Sequence, residues 1–341
     1  MKRRRAGKYI VIVIAALILL CCGALAVNKS GADYGSLNGY DQRVLAELNA
    51  VLAAENADGP LWSGYTLADK TLLLISKDTR TSYLVNAGSA PPFPVGARVS
   101  LPSDFVLDSV YRLSPLTPSV WSLMLEGNFN TIGKQYHFWG QDVYFLKYTH
   151  EALDAQYSSE HFITFLTHEA FHYYMQNHWE TNDGGDLSPQ ELIDSLTSRD
   201  FDLMEQSFAS LSDIQAELQR ENPDRSFLLQ SAQAYIQATE QRIAANPTFM
   251  EVELSRETAE GTAQYACIAA SRLAGYDYGV MYYDNRQNVP FSEVVPLYRE
   301  GVGAESFWFQ IPYSTGAQLC FLLDALEAPQ WQEALNSQTP D

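Results

Sequence analysis

Two histidines four residues apart constrain this chain more than any other feature. In the stretch THEAFHYYMQNHW, residues 167–179, His168, Glu169 and His172 are spaced H-E-x-x-H. Residues four apart on an α-helix are separated by about 400° of turn and lie nearly one above the other. The two imidazoles can therefore address one metal ion only if this segment is helical. Phe162, Phe165, Leu166, Ala170 and Phe171 supply the apolar contacts of such a helix, with no Gly or Pro to break it. Glu169, one step round, points toward the ion's remaining water and can take its proton. The pattern is short enough to recur by chance on a structural helix, so its weight depends on a third ligand. That ligand has to be delivered by the fold.

Two candidates present themselves. His178 lies six residues beyond His172, at the last position of the H-E-x-x-H-x-x-G-x-x-H arrangement. There a glycine lets the chain leave the helix so that the third histidine can turn back. Here that position is Met175, a good helix former with no tolerance for positive φ. In a continuing helix His178 stands about 600° round and roughly 9 Å along the axis from His172, facing away. The second candidate is Glu260, 88 residues beyond His172, in SRETAEGTAQYACIAASRLAG, which reads as a helix with a glycine at its end. A carboxylate from a second helix would complete a His₂Glu set with a fourth position for water. The plain alternative is that Glu257 and Glu260 form a solvated acidic face.

The segment Glu260-Gly261-Thr262-Ala263-Gln264-Tyr265 resembles the E-G-x-A-x-Y segment of the gluzincins, the aminopeptidase N-like and leukotriene hydrolase-like members of the peptidase MA group. Tyr313-Ser314-Thr315-Gly316-Ala317 is similar to the Y-x-x-G-A of the aminopeptidase-like members. The resemblance covers the stretch from about Ser158 to Leu326. It implies a zincin-like fold, one Zn²⁺ held by His168, His172 and Glu260, catalysis by Glu169, and an oxyanion-stabilising role for Tyr313. The implied activity is hydrolysis of peptide bonds in a peptide or protein substrate. Gln264, and equally Glu257, would orient a histidine ligand from behind. The chain departs from the family pattern in two ways. The 88-residue interval calls for a helical insertion, and no G-x-M-E-N-like segment precedes the histidines, so aminopeptidase specificity is not implied. The rival reading is a catalytically silent zinc-binding or envelope binding protein that retains the fold; the intact Glu169 argues against it.

Elsewhere the chain reads as strands first and helices after, an α+β protein. Val44, Leu45, Leu48, Val51 and Leu52 mark an amphipathic helix. TLLLI and SYLV, flanking SKDTRT, predict a hairpin, and YHFWGQDVYFLKY predicts one or two further strands, with an edge available to an extended substrate. The Pro/Gly-rich SAPPFPVGARVSLP suggests a boundary, giving residues 28–100 as an N-terminal helix and strand region and 101–341 as the catalytic domain. Phe201, Met204, Phe208, Leu211, Ile214 and Leu218 keep a helical period within the expected insertion, about residues 180–250, which ENPDRS and AANPT break into pieces.

Residues 1–27 join the basic MKRRRAGK to the uncharged run YIVIVIAALILLCCGALAV, the layout of a signal peptide or a membrane anchor. Cleavage after Ala24-Leu25-Ala26, retention in the membrane and lipid attachment at Cys21 or Cys22 all place the remainder outside the cytoplasm. This leader holds five of the 22 Lys and Arg and none of the 41 Asp and Glu, so the rest is more acidic than the net −19. That acidity argues against nucleic acid and against an anionic membrane surface as partners. Beyond the leader only Cys267 and Cys320 remain, both in apolar, helix-like stretches that suit buried thiols better than a bridge.

Overall fold

The structure, a computed structural model, describes residues 9, 11–19, 22–23, 26, 28, 32–92, 95–115, 117–155, 159–179, 188–283, 286–301 and 310–337. Of the expected leader, residues 9, 11–19, 22–23 and 26 are described, helical and exposed. Among the described residues no helix is long and apolar enough to cross a membrane. The fold is mixed α+β, 56% helical and 11% strand, with a small sheet and a helical C-terminal region. The chain forms two compact units: residues 1–60, 66–155 and 160–163, and residues 61–65, 156–159 and 164–341.

The first unit is built on a five-stranded sheet. Its opening helix α1, Gly39–Asp58, is capped by the Asn38 side chain, which accepts from Asp41 N at 3.0 Å. Val44, Leu45, Leu48, Val51 and Leu52 are all buried on it, as their spacing predicts. Strands β1, Leu72–Ser76, and β2, Ser82–Val85, form the expected antiparallel hairpin. β3, Gly96–Arg98, and β4, Tyr111–Leu113, extend it beyond β2. A short helix α2, Pro118–Leu123, precedes the small pair β5, His137–Phe138, and β6, Gln141–Asp142. β7, Tyr144–Tyr148, then pairs parallel to β1, giving the order β3-β4-β2-β1-β7. Helix α3, His150–Asp154, follows.

Every residue of β1 and β7 is buried because both sheet faces are covered. Leu73, Ile75, Leu84, Leu113 and Phe145 pack with Val120, Leu123, Tyr136 and Phe138 on one face. On the other, Tyr83 and Tyr148 donate to the buried Asp41 carboxylate of α1, at 2.7 and 3.3 Å. Two expectations change here. The Pro/Gly-rich connector lies inside this unit, where it supplies β3, because its Gly96–Arg98 segment completes the sheet instead of leaving it. The edge of β7 is also taken. Lys147 N donates to Asn128 O at 2.7 Å, Phe145 N to Asn130 Oδ1 at 2.9 Å, and Asn130 Nδ2 to Val143 O at 3.0 Å. The chain's own residues 128–130 thus satisfy the donors and acceptors that an extended substrate would need.

The second unit is helical. α4, Phe162–Tyr174, begins in the first unit and carries the histidine pair into the second. The expected insertion contains α5, Pro189–Asp194, α6, Ser198–Leu218, and α7, Arg225–Ala245; residues 180–187 lie outside the described residues. Ser188 with Glu191, and Thr197 with Asp200, close capping boxes that start α5 and α6. α8, Pro247–Leu273, is the longest helix, with Asn246 as its cap and Pro247 at its first position. Then come the pair β8, Tyr282–Tyr283, and β9, Arg286–Gln287, and helices α9, Val294–Arg299, α10, Ile311–Ala325, and α11, Trp331–Asn336. The buried Arg242 of α7 pairs through both nitrogens with Glu253 of α8 at 2.7 and 2.8 Å. Cys267 and Cys320 are free, buried thiols.

Candidate metal centre

α4 and α8 bring the expected ligands together. α4 is buried through Phe162, Ile163, Leu166, Ala170 and Phe171, which leaves His168 and His172 on a different stripe, with Glu169 at its margin. Its Thr164 hydroxyl lies 2.6 Å from that of Ser271 on α8. One turn and more away, His172 Nε2 stands 3.0 Å from His168 Nε2 and 3.1 Å from Glu260 Oε2, and His168 Nε2 lies 3.4 Å from the same oxygen. Among the described residues this is the group of His, Cys, Asp and Glu side chains that could hold a metal ion. With both imidazoles neutral and their lone pairs turned inward, three such donors repel one another unless a cation lies among them.

The electrostatics follow from that crowding. Burial works against the Glu260 carboxylate, yet the hydrogen bonds and charges of His168 and His172 outweigh it and hold its pKa far below the carboxylate range. Burial lowers His168 more than Glu260 raises it. For His172 the balance reverses: burial is overcome by Glu260, helped by Glu169 and Gln176, and its pKa rises. Burial pushes Glu169 up to about 7, with Glu260 adding to the rise and His172 opposing it. A divalent cation at the triad would draw Glu169 back down.

α10 adds Tyr313. Its ring stacks on His168 at 5.5 Å between centroids, with 7° between the planes. Burial, then the charge and hydrogen bond of Glu260, raise its phenol well above the ordinary value, so it stays a donor at neutral pH. The approach of α10 to α8 depends on two glycines. A Cβ on Gly261 would lie 2.4 Å from Gly316 Cα, and one on Gly316 would lie 2.2 Å from Glu257 O. The glycine of EGTAQY and the glycine of YSTGA are thus each other's packing partners.

His178 is exposed and its Nδ1 lies 3.2 Å from Asn177 Oδ1, apart from the triad. The helix does not run on through Met175 as the sequence suggests. It ends at Tyr174, with Met175 N and Gln176 N still bonded back to Phe171 O and His172 O. Two supporting roles are corrected. Gln264 reaches Tyr278 OH at 3.4 Å and Cys267, not a histidine, because those two partners engage its side-chain amide. Glu257 accepts from Thr315 at 2.5 Å and from Tyr235 at 3.4 Å. The residue behind His172 is Gln176, whose Oε1 is 2.5 Å from His172 Nδ1. Its sequence signal was the same four-residue spacing that pairs the histidines. Comparison with known proteins finds no matching family model, no matching curated protein and no matching solved structure.

Proposed function

We propose that the chain is an extracytoplasmic zinc-dependent metallopeptidase of gluzincin type, with His168, His172 and Glu260 as ligands. The observation that carries this reading is the convergence of the three side chains from two helices, with Glu169 and Tyr313 on the same site. In a tetrahedral site with bonds of about 2.0–2.1 Å, donor atoms stand about 3.3–3.4 Å apart. The separations of 3.0, 3.1 and 3.4 Å fit such an ion. Two imidazole nitrogens and one carboxylate oxygen, without a thiolate, suit zinc and leave a fourth position.

Held by His168, His172 and Glu260, a zinc ion would supply an acidified water and a Lewis acid for the substrate carbonyl. The remaining work falls to the chain. Glu169 accepts a proton from the water whose oxygen bonds to the carbonyl carbon, and delivers a proton to the amine as the C–N bond breaks. Tyr313 donates to the carbonyl oxygen as negative charge develops there. Its stacking on His168 fixes where that hydroxyl stands.

Elemental analysis of the purified chain tests the ligand set. Close to one zinc per chain is expected, lost in Glu260→Ala and kept in His178→Ala. Hydrolysis of a quenched-fluorescent peptide library, abolished by a chelator and restored by zinc, tests the reaction. A chain that binds zinc and cleaves no peptide would overturn the peptidase assignment in favour of a metal-binding role.

A further inference from the structure

The Gln176 side chain touches both ligand-bearing helices. Its Nε2 donates to Ala259 O and to Thr262 Oγ1, each at 2.7 Å, while its Oε1 faces His172 Nδ1. A backbone carbonyl can only accept, so the amide cannot be turned the other way without setting oxygen against oxygen. Thr262 closes the chain, because its hydroxyl donates to Thr258 O at 2.7 Å and offers a lone pair to Gln176. With Oε1 thereby fixed as the acceptor, His172 must carry a proton on Nδ1. In the neutral imidazole that a metal requires, its Nε2 lone pair is then directed at Glu260 and His168. Ala259 and Thr262 flank Glu260 on α8, so the donor end of the same amide holds the turn that presents the third ligand.

We infer that Gln176 is a positioning residue that sets the metal affinity of the triad from both ends of its amide, through the His172 tautomer and through the placement of Glu260. This inference rests on the metal reading of the site. Gln176 is buried, with its side-chain polar groups all engaged, so it is organised before any ion arrives. Partners that orient a metal-bound histidine typically change metal affinity by about 10–100-fold.

The test compares the full chain with Gln176→Met, Gln176→Glu and Thr262→Val by three measurements. These are zinc affinity in competition with a chromophoric chelator, thermal stability of the metal-free chain, and the His172 tautomer from imidazole ¹⁵N shifts. Gln176→Met, which loses both ends, is expected to weaken zinc binding about 10–100-fold. It should also release His172 from the Nδ1–H tautomer. Gln176→Glu keeps the acceptor end, so it should keep the tautomer and recover part of the affinity. Thr262→Val should lose less affinity and leave the tautomer unchanged. A merely structural glutamine would lower stability in Gln176→Met while zinc affinity of the folded chain stayed at the parent value, and that result would overturn the inference. If the parent binds no zinc, the metal reading fails, and the tautomer in the metal-free chain still decides whether Gln176 holds His172. A neutral His172 that carries its proton on Nε2 and none on Nδ1 in the parent would overturn the inference in either case.

Discussion

Gly261 and Gly316 meet where α8 crosses α10, so closely that a Cβ on the first would lie 2.4 Å from the Cα of the second. Glu260 immediately precedes one glycine and Tyr313 sits one turn before the other. The crossing therefore fixes the proposed metal ligand and the proposed oxyanion donor at once. Because the obstruction is backbone, neither residue can be enlarged without moving a helix.

Gly316→Ala should accordingly destabilise the chain by about 3 kcal/mol, at the upper end of overpacking costs. Urea denaturation of the metal-free protein measures this. Zinc content should fall with it, since separating α10 from α8 disturbs the turn that carries Glu260. A variant of parental stability would show that the helices can part at little cost.

Tyr313→Phe keeps the ring that stacks on His168 and removes only the hydroxyl. Zinc content and KM should stay near parental values while kcat falls by about 10²–10³, the loss typical of one oxyanion donor. Steady-state kinetics on any peptide the parent cleaves will show this. A fall confined to KM would place Tyr313 in substrate binding.

Glu169→Gln removes the proton acceptor and leaves the three ligands intact. The variant should bind zinc as the parent does and lose about 10²–10⁴ in turnover. Single-turnover assays at saturating enzyme separate this from slow product release. Undiminished turnover would remove Glu169 from the chemistry.

Glu257 gives the protein a pH-dependent stability. Burial pushes its pKa up to about 7, against the donation of Thr315, with Glu253 adding to the rise and Arg242 opposing it. In the unfolded chain it returns to the ordinary 4.5. The folded state therefore binds the extra proton, and the associated stability is full below about 4.5 and is lost as pH rises through about 7. The shift corresponds to a few kcal/mol, of order 3. Glu257→Gln should flatten this dependence, so that its melting temperature gains on the parent's between pH 5 and pH 8. Parallel pH profiles for the two chains would exclude Glu257 as the source.

Much of the site was legible in the sequence because its geometry is local. The four-residue spacing of His168 and His172 fixes their common face wherever a helix forms. The apolar residues around them make that helix form. The burial of α1 and the β1–β2 hairpin follow from periodicity in the same way. Even the two glycine motifs were visible as motifs, although nothing local says that their glycines touch.

What the tertiary structure alone decided are the partners contributed by distant segments. Gln264 and Glu257 are as close to Glu260 in sequence as a supporting residue should be, yet Tyr278 and Thr315, supplied by later segments, engage them instead. Gln176 reaches both His172 and the turn carrying Glu260 because the end of α4 lies against that turn. The outer edge of β7 was open in the sequence and is closed in the fold by residues 128–130. A period of 3.6 or 2 fixes which way a side chain faces within its own element. Which element stands opposite is set by helix rotation, crossing distance and loop path, which depend on the whole packed chain.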